Sequence, residues 1–366
     1  MANFHNKPFD QGTRVKLDLF AKYVEAWLPV FLSIGTRPRK LTIVDFFAGP
    51  GKDADGSDGS PLVLLREIRK YTRIVESQGS TISLELNEAN TKKAKKLQTV
   101  MEEQQIPRRL CTWKVYSQQF EEAFARLYPT LQKGPNLIFL DQQGMKFISD
   151  SVFRQMTALP QTDFIFFIAS SFIRRFSAHP YFKKHLAIPS GSISGRSFND
   201  THRVVTDYYR GLTSEIADYF IGSFSIKKNS NLYGLVFGSQ HPKGLEKFLR
   251  ICWKIDPDRG EANFDIDDDG LDARNPHLFP EMDIAKKVAL FQHRLELSLL
   301  HGEIKTDGEV YLRCLKDGML PMHGKSVVML LKKSSSIRVQ SNKQPRVSIE
   351  GFRSPRELEV ITRGSE

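Results

Sequence analysis

Short apolar runs alternate with longer amphipathic segments through the first two thirds of the chain. The runs are rich in β-branched and aromatic residues, which favours strands that are buried on both faces of a sheet. Several intervening segments repeat apolar residues at helical spacing, as in 16–34, where Phe20, Val24 and Trp27 share one face. The alternation predicts a Rossmann-like α/β sheet with parallel strands at 41–44, 80–87, 111–115, 135–140 and 163–169.

Two further apolar runs, 224–228 and 232–239, are separated only by Asn229, Ser230 and Asn231. This spacing predicts a β-hairpin. The hairpin would add an antiparallel strand to an otherwise parallel sheet.

The first strand is followed by a glycine-rich loop that favours ligand binding. Gly49 and Gly51 have no side chain, so a ligand can approach the backbone there. A helix can begin after the loop, with Ser60 expected as its N-cap and Pro61 at its first position. A buried strand, a glycine turn and a helix form the first half of a nucleotide-binding unit. The candidate cofactor contacts here are Asp45, Phe46, Gly49 and Gly51.

Two kinds of cofactor fit this loop differently. The spacing of Gly49, Gly51 and Ala54 also satisfies a dinucleotide fingerprint, in which a helix follows at once and binds the pyrophosphate. Here 52–59 is polar and glycine-rich, so the helix begins about one loop too late. The D-x-F-x-G-x-G pattern at 45–51 resembles motif I of S-adenosylmethionine (SAM) methyltransferases, whose cofactor has no phosphate. SAM is the expected cofactor, and NAD or a purely structural glycine turn are the alternatives.

Polar residues are expected where the next strands end, at the same edge of the sheet. Glu85 is expected at the end of the second strand, where a carboxylate can accept hydrogen bonds from both ribose hydroxyls, and Glu88 is the alternative. Gln119, after the third strand, is a candidate contact to the adenine. Asp141 and Gln142 follow the fourth strand and are the candidate catalytic residues, which would orient or deprotonate the methyl acceptor.

The last third of the chain differs in composition. Residues 256–283 contain ten acidic and two basic residues and are interpreted as a solvated linker. Asp265 begins an EF-hand-like pattern, but Pro276 stands where the bidentate Glu is required, so no calcium site is expected. The predicted domains are 1–255, 256–283 and 284–366.

From residue 284 onward the pattern predicts three helices and a basic hairpin formed by 337–339 and 346–349. This order resembles a winged helix, a module that binds nucleic acid in some proteins and other proteins elsewhere. The candidate phosphate contacts are Lys325, Lys332, Lys333, Arg338, Lys343 and Arg346.

Composition adds three constraints. The net charge of +11 over 366 residues is compatible with a polyanionic partner. Three cysteines lie far apart without metal-binding spacing, which favours a reducing cytosol and a site without metal. The N-terminal segment lacks the apolar centre of a signal peptide, and no apolar run is long enough to span a bilayer.

The motifs together resemble the three-Cys-motif partner (TcmP) family of bacteria. The similarity is carried by 45–51, 59–62, Asp141 with Gly144, and 237–242 before a helix that contains Trp253, and it extends over nearly the whole chain. It implies a class I SAM-dependent methyltransferase fold and a separate radical-SAM-like partner with three cysteines, in a mobile-element or phage-defence setting.

The chain departs from that family at one position. Members more often have Asp-Pro-aromatic-Gly where this chain has Asp141-Gln142-Gln143-Gly144. In amino-methyltransferases such a turn aims a carboxylate and a carbonyl at a planar nitrogen. The sequence therefore supports two hypotheses: a SAM-dependent enzyme that acts on nucleic acid, and a non-catalytic adaptor that binds nucleic acid and a partner enzyme.

Overall fold

The structure is a computed structural model that describes residues 10–32, 39–142, 148–176, 179, 188–193, 195–213, 219–271, 274, 283–340 and 343–361. The chain divides into two compact units, residues 1–240 and 241–366. Among the described helices, none has the length and apolar character that a membrane span requires.

The first unit alternates strands and helices. Its helices are α1 (Gln11–Leu32), α2 (Ser60–Arg69), α3 (Thr72–Gln78), α4 (Thr91–Glu103), α5 (Phe120–Leu131), α6 (Asp150–Thr157), α7 (Ser170–Phe176), α8 (Ser190–Ile193) and α9 (Thr201–Leu212). Its strands are β1 (Lys40–Asp45), β2 (Thr81–Asn87), β3 (Cys111–Tyr116), β4 (Asn136–Leu140), β5 (Thr162–Ile168), β6 (Phe220–Lys228) and β7 (Asn231–Ser239).

The seven strands form one sheet in the order β3-β2-β1-β4-β5-β7-β6. Strands β1 to β5 are parallel, and β7 lies antiparallel between β5 and β6. The predicted parallel sheet with a hairpin strand is confirmed. Strand β1 pairs with β2 on one side and β4 on the other, so the order in which successive strands are added to the sheet reverses at β1. In open α/β sheets, ligands bind at such a topological switch point.

Aromatic side chains fill both sides of this sheet. On one side, Phe20 of α1 stacks on Phe139 of β4 with ring centroids 3.8 Å apart, and the Tyr23 hydroxyl donates to Asp163 at 2.6 Å. In the main hydrophobic cluster of the core, Phe46 packs edge-on against Phe120 at 5.3 Å. Helix α1 is therefore an integral layer of the first unit.

The second unit is mostly helical. Its helices are α10 (Pro242–Ile255), α11 (Lys286–Leu300), α12 (Asp307–Lys316), α13 (Pro321–Lys333) and α14 (Ile349–Arg353), and its strands are β8 (Ile337–Val339) and β9 (Leu358–Val360). Thr306 caps the start of α12. The Thr306 hydroxyl accepts from the Glu309 N–H at 3.1 Å, and the Glu309 carboxylate accepts from the Thr306 N–H at 3.0 Å.

The boundary between the units lies before α10, whereas the sequence placed it at residue 255. Helix α10 packs on the second unit through two polar contacts. The Tyr311 hydroxyl donates to Glu246 at 2.9 Å, and the Trp253 indole N–H donates to the Gly318 carbonyl at 3.0 Å. An amphipathic helix after a strand suits either unit, so its pattern alone does not decide which one it joins.

The described part of the acidic segment 256–283 folds around the guanidinium of Arg259. Arg259 is only 5% exposed, and its guanidinium pairs with Asp265 at 2.7 Å and Asp269 at 2.7 Å. Asp256 accepts from three backbone N–H groups, those of residues 259, 261 and 262. In its described part the segment is therefore ordered by charge pairing, and the interpretation as a solvated linker needs correction.

The hairpin near the C-terminus pairs differently from the prediction. Strand β8 pairs with β9, and 349–353 is helical. Asp307, fully buried at the start of α12, explains this, because its carboxylate accepts from the backbone N–H of Arg346 at 2.7 Å and of Arg356 at 2.8 Å. Both chain segments are thereby fixed beside α12, and the Arg346 N–H is not available to a strand partner.

We expect Gly238→Ala in β7 to destabilise the first unit. A Cβ at this position would lie 2.2 Å from the Phe164 ring, and such overpacking costs about 1–3 kcal/mol. Urea denaturation followed by circular dichroism measures the change. Gly211→Ala is the matched control, because nothing lies within 4 Å of the added carbon in helix α9 and alanine favours a helix. An equal effect of both substitutions would contradict this packing.

Candidate functional site

The candidate site lies at the carboxyl edge of the parallel strands. Asp45 ends β1, Asn87 ends β2, and Asp141 follows β4 directly. Since β1 lies between β2 and β4, these three positions share one edge at the topological switch point. The structure therefore brings Asp45 and Asp141 together, as the sequence predicted.

Asp45 is completely buried, and both of its carboxylate oxygens have a donor. The Ser60 hydroxyl donates to Oδ2 at 2.6 Å, and the Phe47 N–H donates to Oδ1 at 3.0 Å. Burial raises the pKa of Asp45 to about 7, against the effect of these two hydrogen bonds. The charge of Asp141 raises the pKa further and that of Lys16 lowers it. Asp45 is therefore poised between its neutral and charged forms near neutral pH.

The loop after β1 has the shape that its glycines allow. Gly49 has φ 63° and Gly51 has φ 86°, values that residues with side chains rarely adopt. A Cβ on Gly51 would lie 3.1 Å from Val100 and 3.2 Å from Leu97, so this glycine permits the loop to pack on α4. Helix α2 begins late, as predicted, but Gly59 is its N-cap. The Ser60 hydroxyl is thereby left to bind Asp45.

Asp141 forms an ion pair with Lys16 of α1. The Lys16 side chain is only 7% exposed, and its ammonium also lies 4.7 Å from the centre of the Phe167 ring. The carboxylate of Asp141 is 28% exposed, so a ligand in the crevice can reach it. Gln142, the second candidate catalytic residue, is 2% exposed, whereas Gln143 and Gly144 lie outside the described residues.

Glu85 does not end its strand, because β2 continues to Asn87. Both Glu85 oxygens already have donors: the Ser83 hydroxyl at 2.6 Å and the Tyr116 hydroxyl at 2.7 Å. Glu88, the alternative, follows the strand directly and is half-buried, and its Oε1 accepts from the Asn90 N–H at 2.8 Å. Geometry therefore favours Glu88 over Glu85 at the edge of the crevice.

Asn87 joins the loops after β1 and β3 at this edge. Its side-chain amide donates to the carbonyls of Phe46 at 3.2 Å and Gln118 at 3.1 Å, and its main-chain carbonyl accepts from the Ala48 N–H at 2.9 Å. The Phe46 ring is fully buried, so only its backbone can face a ligand. Gln119 is exposed at the start of α5, where a ligand can reach its side chain.

The six basic residues predicted to contact phosphates occupy different environments. Lys325, Lys333 and Arg338 are exposed, as is the side chain of Lys343. Lys332 donates to the Lys343 carbonyl at 2.9 Å, and Arg346 donates to the Ser354 carbonyl at 2.7 Å. The exposed side of α13 also contains apolar residues, which are Met322 at 66%, Leu330 at 66% and Met329 at 36% exposure.

Three important residues escaped the sequence analysis. Lys16 lies four residues before Phe20 and eight before Val24, so helical spacing alone could have placed it on the buried face. Ser60 was expected to cap a helix, and Asn87 carries no motif of its own. Within the described ranges, no three His, Cys, Asp or Glu side chains come together in a metal-binding group.

The structure of this chain is similar to solved structures of methyltransferases. No protein-family model and no curated protein matches the chain. Trm1 from Pyrococcus horikoshii, solved with S-adenosyl-L-methionine, is 13% identical with a TM-score of 0.41, over 66% of this chain and 59% of that one. This chain thus matches only about three fifths of the Trm1 chain.

Two O-methyltransferases are also similar. A putative one from Klebsiella pneumoniae is 14% identical with a TM-score of 0.33, over 64% of this chain and 91% of that one. One from Bacillus cereus, in complex with SAH, is 11% identical with a TM-score of 0.32, over 63% of this chain and 91% of that one.

The protonation of Asp45 predicts a pH dependence of stability. The folded protein keeps this proton up to about pH 7, whereas the unfolded chain releases it near pH 3.8, so the free energy of unfolding falls as the pH rises between these values. The loss from pH 5 to pH 8 amounts to about 2–3 kcal/mol at 1.4 kcal/mol per unit. Asp45→Asn cannot lose a proton, so urea denaturation should show a correspondingly weaker pH dependence. Identical slopes for both proteins would show that Asp45 is ionised throughout.

Proposed function

We propose that this protein binds SAM at the carboxyl edge of β1, β2 and β4 and transfers its methyl group to nucleic acid. The observation that carries the proposal is the pair of carboxyl groups at the switch point, Asp45 at the end of β1 and Asp141 directly after β4. A cationic ligand is the natural occupant of a crevice with two acids and one lysine.

The residues present fit this cofactor. Asp45 would ionise when a positively charged ligand arrives, because the ligand's charge offsets the cost of burying the carboxylate. Glu88 would accept from the ribose hydroxyls, and Gln119 would contact the adenine. The loop at Gly49 and Gly51 would close over the ligand through backbone groups.

Bound SAM would supply an electrophilic methyl group on a sulfonium centre. The protein's contribution is to hold the acceptor in line with that methyl group and to exclude water. Asp141 would orient the acceptor and take the proton that it loses as the new bond forms. Lys16 would fix the Asp141 side chain in position through their ion pair.

Nucleic acid as the substrate is supported by charge and by the second unit. Residues 1–240 carry a net charge of +10 and residues 241–366 carry +1. In the second unit, α11, α12 and α13 are followed by the antiparallel pair β8–β9, and Thr306 bridges to Glu357. We interpret this order as a winged helix in which Lys325, Lys333 and Arg338 reach phosphates.

The adaptor hypothesis has specific support as well. Lys16 occupies Asp141, the predicted base, and the exposed side of α13 contains three large apolar residues, which suits a protein partner. The radical-SAM-like partner that the TcmP resemblance implies would be such a protein. Methyl transfer separates the two hypotheses, because the adaptor would bind nucleic acid without modifying it.

Isothermal titration calorimetry with SAM tests the first step. Wild-type affinity should rise about tenfold per pH unit between pH 5 and pH 7, because binding drives the proton off Asp45. Asp45→Asn should bind about 10–100-fold more weakly at pH 8, since it loses the negative charge that would attract the cationic ligand. Its residual affinity should not change over that pH range.

Asp163→Asn is the matched control for this titration. Burial raises the pKa of Asp163 to about 6, but this acid lies near the start of β5, away from the carboxyl edge. Its replacement should leave the SAM affinity unchanged. Absence of SAM binding by the wild-type protein would refute the proposed function.

Transfer of tritiated methyl groups to total tRNA, rRNA and DNA tests the second step. Asp141→Asn should lower the rate about 10²–10⁴-fold, the usual contribution of a general base. SAM affinity, measured in parallel, separates the loss of a base from weaker cofactor binding, because Asp141 also contributes to the charge of the site. A fully active variant would exclude Asp141 as the base. SAM binding by the wild-type protein without transfer to any of the three substrates would favour the adaptor.

A further inference from the structure

A second pocket lies at the outer edge of the sheet in the first unit. It encloses about 610 Å³ and is lined by residues 113–118 of β3 and the following loop, together with Gln98 of α4 and Arg126 of α5. This volume is within the range of small-ligand sites. None of the candidate cofactor residues lines it.

The pocket follows an open strand edge. Among the residues that the structure describes, β3 pairs only with β2, so its outward main-chain N–H and C=O groups have no strand partner there. Side chains alternate along the strand, and Lys114 and Tyr116 therefore lie on one face while Trp113 lies on the other. The pocket thus combines main-chain donors and acceptors, which suit the edge of a base, with aromatic rings on both sides.

The charge of the pocket is positive. Lys114 and Arg126 line it, no acidic residue does, and neither cation forms an ion pair in the part of the chain that the structure describes. The Arg126 guanidinium lies 4.7 Å from the centre of the Tyr116 ring, and it donates to Gln118 at 3.4 Å. A guanidinium positioned over an aromatic ring can still donate hydrogen bonds to phosphate.

The neighbouring helix extends this charge. Lys92, Lys95 and Lys96 of α4 are exposed, and Lys95 lies one turn before Gln98. One acid, Glu102, lies one turn beyond Gln98 and accepts from its amide at 2.7 Å. Most of the net charge of the chain is in this unit, so a polyanion has more to gain here than in the nearly neutral second unit.

We propose that this pocket binds single-stranded nucleic acid. A base stacks on Trp113, and the flanking phosphates contact Lys114 and Arg126. Stacking platforms within basic grooves are the general solution for single strands. A peptide strand could also pair with an open edge, but it would have no use for cations and stacking rings. The assignment of the bound strand as substrate rests on the proposed function, whereas the binding itself does not involve SAM.

Fluorescence anisotropy with a fluorescein-labelled 12-residue oligouridylate, titrated with the full chain without SAM, tests the cations. Lys114→Gln combined with Arg126→Gln should weaken binding about tenfold and reduce the slope of log affinity against log salt by about 1.4, or 0.7 for each lost phosphate contact. Arg73→Gln combined with Lys133→Gln is the matched control, because both residues are exposed cations outside the pocket. Equal effects of the two pairs would overturn the proposal.

Intrinsic tryptophan fluorescence tests the stacking. Trp113 is half-buried, whereas Trp27 is 1% and Trp253 9% exposed, so a quencher in the pocket acts mainly on Trp113. Oligouridylate should quench the emission, and heparin, a polyanion without bases, should not. Trp113→Leu should abolish the quenching, with its unfolding midpoint measured as a check on folding.

Quenching that persists in Trp113→Leu, or that heparin reproduces, would place the nucleic acid elsewhere and overturn the proposal. Because no titration contains SAM, the outcome is independent of the cofactor site. Oligonucleotide binding without SAM binding would refute the methyltransferase and retain this pocket. The reverse result would retain the cofactor site and refute this pocket.

Discussion

The cost of burying the Asp45 carboxyl group at the end of β1 governs the chemistry of this protein. A charged carboxylate in that position lacks water and lies near the charge of Asp141, and only Ser60, a backbone N–H and the nearby Lys16 oppose this. With Asp45 protonated, the cluster of Asp45, Asp141 and Lys16 carries no net charge. With Asp45 ionised, it carries one negative charge, which a cationic ligand can neutralise. Under the proposed function, binding of a cationic ligand and release of this proton would be linked through one residue.

The sequence predicted those parts of the fold that depend on local pattern. Buried parallel strands contain continuous apolar runs, so β1, β4 and β5 were recognised, and the short spacing at Asn229 identified the hairpin. The position of Asp45 followed because a strand, a loop and a helix start stand next to one another in the chain. These features require only neighbours in sequence.

The predictions were wrong where contacts between segments distant in the sequence determine the local structure. The predicted second strand already extended to residue 87, yet Glu85 was placed at its end. The strand ends at Asn87, whose side chain is fixed by contacts with the loops after β1 and β3. The strand predicted at 346–349 is displaced by Asp307, some forty residues earlier. A buried Arg259 within an acidic segment likewise becomes evident only when its partners are seen. Contacts between residues that are far apart in the sequence leave no periodic pattern of apolar and polar residues.

The place of β7 in the sheet has a consequence for synthesis on the ribosome. This strand comes last in the first unit, yet it lies between β5 and β6, so the outer edge of β5 remains uncovered until residue 239 has emerged. That edge is the apolar run 164–168, which contains three phenylalanines and no charge. An exposed apolar edge of this kind pairs readily with other chains. During translation, the aggregation-prone edge of β5 therefore remains exposed while about seventy further residues are synthesised. A chaperone that binds exposed apolar segments would have its opportunity in this interval.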